Sequence, residues 1–382
     1  MPLTGPLLSG TASTIRVGAG RIWRARRHAG WVVESNEIRK WLVEPSLLRL
    51  EELWCAADTV RRENVGDAVH LRGLIEFSNR CARQCGYCGL NVENRAIRRY
   101  RMSADEILVC ARLAQEFGYG TVVLQSGEDW GVTKDWLCDI IRRIKAETSL
   151  AVTLSVGERL PDELAAWKDA GADRYLLRFE TSNPALYRRI HPDLSGQVSD
   201  RFAMLRLLHT IGYEVGSGVM VGIPGQTYDD LVADIEAFAT LNLDMIGIGP
   251  FLPHPNSKLG RELEESPEPN GDQVPNSELM TYKAVALTRL VCPKANIPST
   301  TALATVNIES GRELGLQRGA NIVMPNMTPP FYRQMYEIYP GKACVTDDAF
   351  KCDSCMKNRI LSIGREIGAG QGDSPNHIGR KI

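Results

Sequence analysis

The chain has 382 residues, 43% of them hydrophobic and 24% charged, which are the proportions of a globular protein and exclude a disordered chain or a coiled coil. Lys+Arg number 45 against 46 Asp+Glu, and a formal net charge of -1 gives no overall attraction to nucleic acid. No apolar run approaches the roughly 20 residues that span a bilayer, so no membrane segment is expected.

Residues 1–33 carry Arg16, Arg21, Arg24, Arg26 and Arg27 and no acid before Glu34. They read as a loose basic extension of a cytoplasmic protein, with an organelle transit peptide, and so an organelle matrix, as the alternative. Residues 34–70 form an N-terminal helical segment, with Leu42, Leu47, Leu48, Leu50 and Leu53 spaced among charges. From residue 71 to 335 short apolar segments alternate with amphipathic stretches. The segments are LRGLIEFS (71–78), TVVLQSGE (121–128), AVTLSVGE (151–158), RYLLRFET (174–181), EVGSGVMVGI (214–223), MIGIGPFLP (245–253), IPSTTAL (297–303) and ANIVMPNM (320–327). Ser103 with Glu106 makes a capping box that starts one intervening helix; TYDDLVADIEAFATL and SELMTYKAVALTRLV read as two more. Eight such alternations predict the α/β class, a (βα)8 TIM-type barrel whose site lies at the C-terminal ends of its strands. An open doubly wound sheet is the alternative. Residues 257–278, rich in proline and acid, read as a solvated loop, and residues 336–382 as a C-terminal segment holding a second cysteine group.

Six of the ten cysteines fall into two tight groups, Cys81/Cys85/Cys88 and Cys344/Cys352/Cys355, which suggests metal binding in a reducing interior. Cys55, Cys110, Cys138 and Cys292 sit in helix-like apolar patterns and read as small buried hydrophobes. The first group, C-x3-C-x2-C, follows the first strand directly. Three thiolates can hold one face of an iron–sulfur cube and leave one iron open, whereas structural zinc wants four protein ligands, and no fourth Cys or His follows at suitable spacing. The second group, C-x7-C-x2-C, suggests another cluster; zinc completed by Asp347 or Asp353, or free thiols, stay open. Nearby Lys342, Lys351 and Lys357 could make this region a docking face.

In RYLLRFET, alternation sets Arg174, Leu176, Arg178 and Glu180 on one face and Tyr175, Leu177 and Phe179 on the other. With the apolar set against the outer helices, the charges face the lumen, either as a paired structural cluster or as a chamber for a zwitterionic cofactor and an anionic substrate. Gln125, Ser126, Glu128, Ser155, Glu158, Thr300 and Thr301 add polar groups at successive strand ends, which describes a site rather than a packed plug. His254 in PFLPHP fits a site role or a structural hydrogen bond equally, and the short Gly-x-Gly pieces lack the context of dinucleotide binding.

C-x3-C-x-aromatic-C, with Tyr87 as the aromatic, at the end of a first barrel strand resembles the radical S-adenosylmethionine enzymes. The resemblance implies a 4Fe-4S cluster on Cys81, Cys85 and Cys88 whose open iron chelates S-adenosylmethionine and whose electron releases a 5'-deoxyadenosyl radical. Ser126, Gly127 and Glu128 look like the family's Gly-Gly-Glu motif, with serine in the first place. The segments VLQSGED, GADRYLLRFET, MVGIPGQT, DMIGIGPFLPHP, NIPSTTAL, GANIVMPNMTP and YRQMYEIYPGKACV are similar to those of the HydE-type FeFe-hydrogenase maturases. That closer resemblance implies that Tyr87, Ser155, Glu180 and Arg201 also contact S-adenosylmethionine. It implies a substrate chamber lined by Arg72, Gln125, Arg174, Arg178, Met245, Thr300, Thr301, Met324 and Tyr336, and an auxiliary cluster on Cys344, Cys352 and Cys355. The implied substrate is an organometallic cysteine-bound iron with carbon monoxide and cyanide. The implied partners are a flavodoxin- or ferredoxin-type electron donor, a tyrosine-cleaving maturase and a GTPase scaffold, with no nucleic acid and no membrane. The alternatives are a methylornithine- or biotin-synthase type reaction, or a non-catalytic iron–sulfur carrier.

Overall fold

Residues 14–17, 21–24, 34–194, 198–265 and 271–381 are described by a computed structural model. The basic extension lies outside them except for β1 (Thr14–Val17) and β2 (Arg21–Arg24), an antiparallel pair. The N-terminal helical segment is two helices rather than one, α1 (Ser35–Val43) and α2 (Leu47–Val65). Pro45 disfavours helix at the residue before it, and the Ser46 hydroxyl, accepting from the Arg49 N–H, restarts the chain as an N-cap.

Six parallel strands run in sequence order: β3 (Ala68–Ser78), β4 (Thr121–Ser126), β5 (Ala151–Ser155), β6 (Arg174–Leu176), β7 (Glu214–Val221) and β8 (Met245–Pro250). Each neighbouring pair is parallel, and helices α3 (Ala104–Glu116), α4 (Lys134–Glu147), α5 (Pro161–Asp169), α6 (Pro184–Ile190), α7 (Arg201–Ile211) and α8 (Tyr228–Thr240) lie between them in sequence. The capping box expected at Ser103 and Glu106 is formed. Phe179 packs on Phe202 and Phe238, which seats the apolar side of the fourth strand region against the outer helices.

The segment 297–303, expected as a strand, is not one. Asn296 and Pro298 make isolated parallel bridges, to Met245 and to Ile322, and carry the ring from β8 to β9 (Ile322–Val323), which pairs with β3. Pro298 has no N–H to donate to a ladder, and Thr300 caps the Leu303 N–H and turns the chain into helix α11 (Thr301–Val306). The proline-rich segment is also not all loop. It holds α9 (Lys258–Glu265), whose Leu259 is fully buried and donates its N–H to Gly86 O at 2.8 Å; α10 (Glu278–Val291) follows. Lys283 of α10 donates to Leu42 O and Glu44 O, both at 2.8 Å, tying the N-terminal helices to the barrel.

After α12 (Gly311–Gln317), α13 (Pro330–Arg333) and α14 (Ala349–Ser362), β10 (Glu366–Ile367) pairs with the first residues of β3. The chain then crosses the N-terminal end of the barrel before α15 (Pro375–Lys381). Arg72, Thr121, Arg174 and Asn296 all donate to the carbonyls of Gln371 or Gly372 there, so the C-terminal segment stoppers the cylinder from below. Among the described residues no helix is long and apolar enough to cross a membrane.

Candidate functional site

The loop of residues 79–101 carries the first cysteine group and contains no helix or strand element. Its backbone is held by side chains. Asn79 Nδ2 donates to Arg98 O and Met335 O, both at 2.8 Å, and Arg99 donates to the carbonyls of Asn79, Leu90, Asn91 and Asn94. Gly86 N–H bonds Ile190 O and Gly89 N–H bonds Ile338 O. A Cβ on Gly89 would stand 2.2 Å from Glu337 O, so only glycine admits this approach.

Cys81, Cys85 and Cys88 are each partly accessible. Burial raises all three thiols; for Cys85 the neighbouring Cys81 and Cys88 raise it further, and Cys88 reaches about 12. Three sulfurs that feel one another and stay protonated in the bare protein are a donor set that needs positive charge to become thiolates, which iron supplies. Among the described residues no set of three or more His, Cys, Asp or Glu side chains closes on a single-ion position.

Beside the loop lies a cavity of about 340 Å³ running down the barrel. Its upper wall includes Tyr87, Cys88, Ser126, Ser155, Glu180 and Arg201. Glu180 is held at φ 63, a conformation rare outside glycine, and accepts from Tyr87 Oη at 3.4 Å and Arg178 Nε at 3.1 Å. Arg201 opens α7 and donates to Glu158 Oε1 at 2.9 Å, to His191 Nε2 at 2.6 Å and to Arg178 O. Burial works against its charge, but Tyr187, Tyr87 and Glu158 outweigh it and hold the guanidinium firmly protonated.

The lower wall brings together Arg72, Gln125, Arg178, Met245, Thr300, Thr301, Met324 and Tyr336, as expected of a chamber. Tyr336 Oη accepts from Gln125 Nε2 at 3.3 Å. Arg72 is buried, donates to Met245 Sδ at 2.8 Å and leaves its Nε without a partner. Burial, then the adjacent Arg174, lower it to about 9.

Three of the expected residues, Arg174, Glu128 and Gly127, lie outside the cavity lining. Arg174 does not line the cavity: it is fully buried below it, on Glu214, Thr121, Gln371 O and Asp373, in the paired structural arrangement that was the alternative reading. Glu128 also lies outside the lining, 2.7 Å from Arg83 Nε and accepting from the Glu158 N–H at 3.0 Å. Gly127 serves close approach, since a Cβ there would stand 2.3 Å from Arg80 O and 2.8 Å from Cys81 Cβ.

In the second group the neighbouring Cys352 lowers the Cys344 thiol to about 6, while Cys355 is exposed. Lys342 turns inward and pairs with Glu76, both buried on the chamber wall, so it is no part of an outer docking face. Of the four cysteines read as buried, Cys55 is exposed. His254 is buried, its Nδ1 accepting from Asn256 N–H.

Arg83, Glu76 and His191 escaped the sequence reading because their partners are distant in the chain, as is the Glu76 that pairs with Lys342. His191 is held down to about 2 by burial and then by Arg201 and Arg83. An unfolded histidine titrates near 6.5, so below that pH the unfolded chain takes a proton that the folded chain refuses, and stability falls with pH. Unfolding free energy from urea titration is expected to drop by about 1 kcal/mol from this residue between pH 7 and 5.5. His191→Gln should remove that part of the slope; an unchanged slope would refute it.

Residues 75–238 match the profile of the radical SAM superfamily. The chain is 48% identical over 322 residues, 84% of its length and 88% of the relative's, to the FeFe-hydrogenase maturase subunit HydE of Thermotoga maritima. It is 30% identical to the 3-methylornithine synthase of Methanosarcina barkeri, over 78% of this chain and 81% of that one. The crystal structure of a methylornithine synthase superposes with a TM-score of 0.75 at 27% identity, covering 88% of this chain and 94% of that one.

Proposed function

From the premise that the chain belongs to the radical S-adenosylmethionine superfamily, and within it to the family of the FeFe-hydrogenase maturase HydE, we propose how its residues divide the work. It is an enzyme. Cys81, Cys85 and Cys88 would hold a 4Fe-4S cluster, which when bound supplies the electron that splits S-adenosylmethionine into methionine and a 5'-deoxyadenosyl radical. Ser155, Glu180 and Arg201 would fix that cofactor: Arg201 is a permanent cation suited to a carboxylate, and Glu180 an acceptor for an ammonium or ribose hydroxyls. Tyr87 orients Glu180 through their hydrogen bond. The C-terminal stopper closes the lower chamber from the N-terminal end of the barrel, which limits the entry of bulk water on that side.

The substrate we assign is a cysteine-bound iron carrying carbon monoxide and cyanide, processed toward the hydrogenase di-iron site alongside other maturases, in the reducing cytoplasm. The observation that carries this is a barrel cavity reaching from Cys88 down to Arg72, which is buried, keeps an unpartnered Nε and has its nearest carboxylate, Glu214, only at 4.0 Å, suited to an anionic complex. An auxiliary cluster on Cys344, Cys352 and Cys355 is a secondary part of the reading, supported by their C-x7-C-x2-C spacing. Anaerobically reconstituted protein should consume the iron–cyanide–carbonyl cysteine complex in step with 5'-deoxyadenosine release. Formation of methylornithine from an amino-acid precursor in its place would establish the synthase reading.

A further inference from the structure

The geometry points to the face formed by the cysteine loop, Phe331 and Trp130 as the docking surface for an acidic one-electron carrier protein. The inference rests on the radical-enzyme reading and says where that enzyme takes its electron. Residues 79–101 contain six arginines and a single acid, Glu93, in a chain whose net charge is -1, so positive charge is concentrated where the thiols are. Arg80, Arg95 and Arg98 are exposed, and among the described residues none of them has an ion pair. Arg101 is neutralised by Asp129, and Arg99 is spent on backbone carbonyls.

Apolar side chains lie within the same face. Phe331 is 57% exposed with the Arg98 guanidinium 5.5 Å over its ring, and Trp130, 65% exposed, follows the Asp129 that binds Arg101. Val92, 45% exposed, belongs to the loop itself. Exposed aromatics edged by unpaired arginines are the composition of an interface, and the charge selects an acidic partner. The other basic candidate, around the second cysteine group, is weaker, because Lys342 is buried and Lys357 pairs with Asp353 at 2.9 Å.

Position supplies the second argument. Electron transfer weakens steeply with distance, and Cys81 is a partly accessible thiol next to the exposed Arg80. A carrier seated here passes one electron inward and is itself oxidised by one; no atom is transferred. A flavodoxin in its fully reduced state is a suitable probe, as an acidic protein that gives up one electron.

Arg95→Glu with Arg98→Glu should slow cluster reduction by reduced flavodoxin about tenfold or more, and flatten its dependence on salt, because steering charges act mainly on association. Binding of oxidised flavodoxin, read by fluorescence anisotropy without turnover, should weaken in parallel. Neutral Arg95→Gln with Arg98→Gln should give an intermediate loss, and Lys351→Glu, on the other basic region, none. Reduction by dithionite should be unaffected by the paired substitutions. Equal loss with dithionite, unchanged flavodoxin binding, equal sensitivity to Lys351→Glu, or tighter binding of a DNA duplex than of flavodoxin would each overturn the docking assignment. Wild-type protein that makes no 5'-deoxyadenosine even with dithionite would instead overturn the enzymatic reading beneath it.

Discussion

A Cys85→Ala protein is expected to release no 5'-deoxyadenosine and to hold less than the full iron of a reconstituted four-iron cluster, whereas Cys352→Ala should retain most of the cleavage. Cys85 is the member of the trio on which the other two sulfurs act most clearly: after burial, Cys81 and Cys88 are what raise its thiol. On the proposed assignment, removing it would take away one of three ligands and leave two irons of the cube without protein attachment. Cys352 faces Cys344, in a group carried by α14 and the turn before it, and its sulfur is no part of the cavity wall. Deoxyadenosine by chromatography, iron content and the visible spectrum check both. Comparable loss in Cys352→Ala would make the second group part of the catalytic machinery.

Arg83→Met should cost roughly 3–5 kcal/mol of folding free energy, because it strands buried carboxylates without their cation. Arg83 is 1% exposed, with Nε 2.7 Å from Glu128 Oε1 and Nη2 3.1 Å from Glu158 Oε2. Glu158 would keep Arg201, but Glu128 would keep only the Glu158 N–H. Burial already raises the Glu128 carboxyl, and the loss of Arg83 would push it further up. The same network positions Arg201 through Glu158, so binding of S-adenosylmethionine should weaken as well. Arg83→Met combined with Glu128→Gln should recover part of the stability, since the stranded charge is then gone. Urea unfolding of the metal-free protein measures this, and a loss below about 1 kcal/mol would show that the carboxylates find other partners.

The prediction of eight β segments met a sheet that keeps all eight positions but builds them unequally. Local alternation identified β3 to β8 well, because each is a short apolar run between turn signals. It failed at 297–303, where Pro298 and the capping Thr300 leave only bridge contacts, and at 257–278, where Leu259 finds a hydrophobic pocket that no local pattern announces. Period-two reading set Arg174 and Arg178 on one face, but the strand ends at Leu176, Leu177 lines the cavity beside Leu176 and Arg178, and the two arginines differ in role. Arg178 reaches the cavity, while Arg174, four residues earlier on the barrel axis, meets the C-terminal segment and its Asp373.

The sequence by itself determined the close grouping of Cys81, Cys85 and Cys88, the run of strands β3 to β8, and the polar residues at the strand ends, because each depends on residues within a few positions of one another. Only the tertiary structure decided which of those polar groups are free for a ligand. Glu128 and Arg174 are satisfied by Arg83, Glu214 and Asp373, residues 45, 40 and 199 positions away, whereas Arg72 reaches Glu214 only at 4.0 Å and keeps an unpartnered Nε on the cavity wall. A buried charge is structural or functional according to whether the fold supplies its partner, and that pairing is a property of the closed barrel rather than of any local stretch of chain.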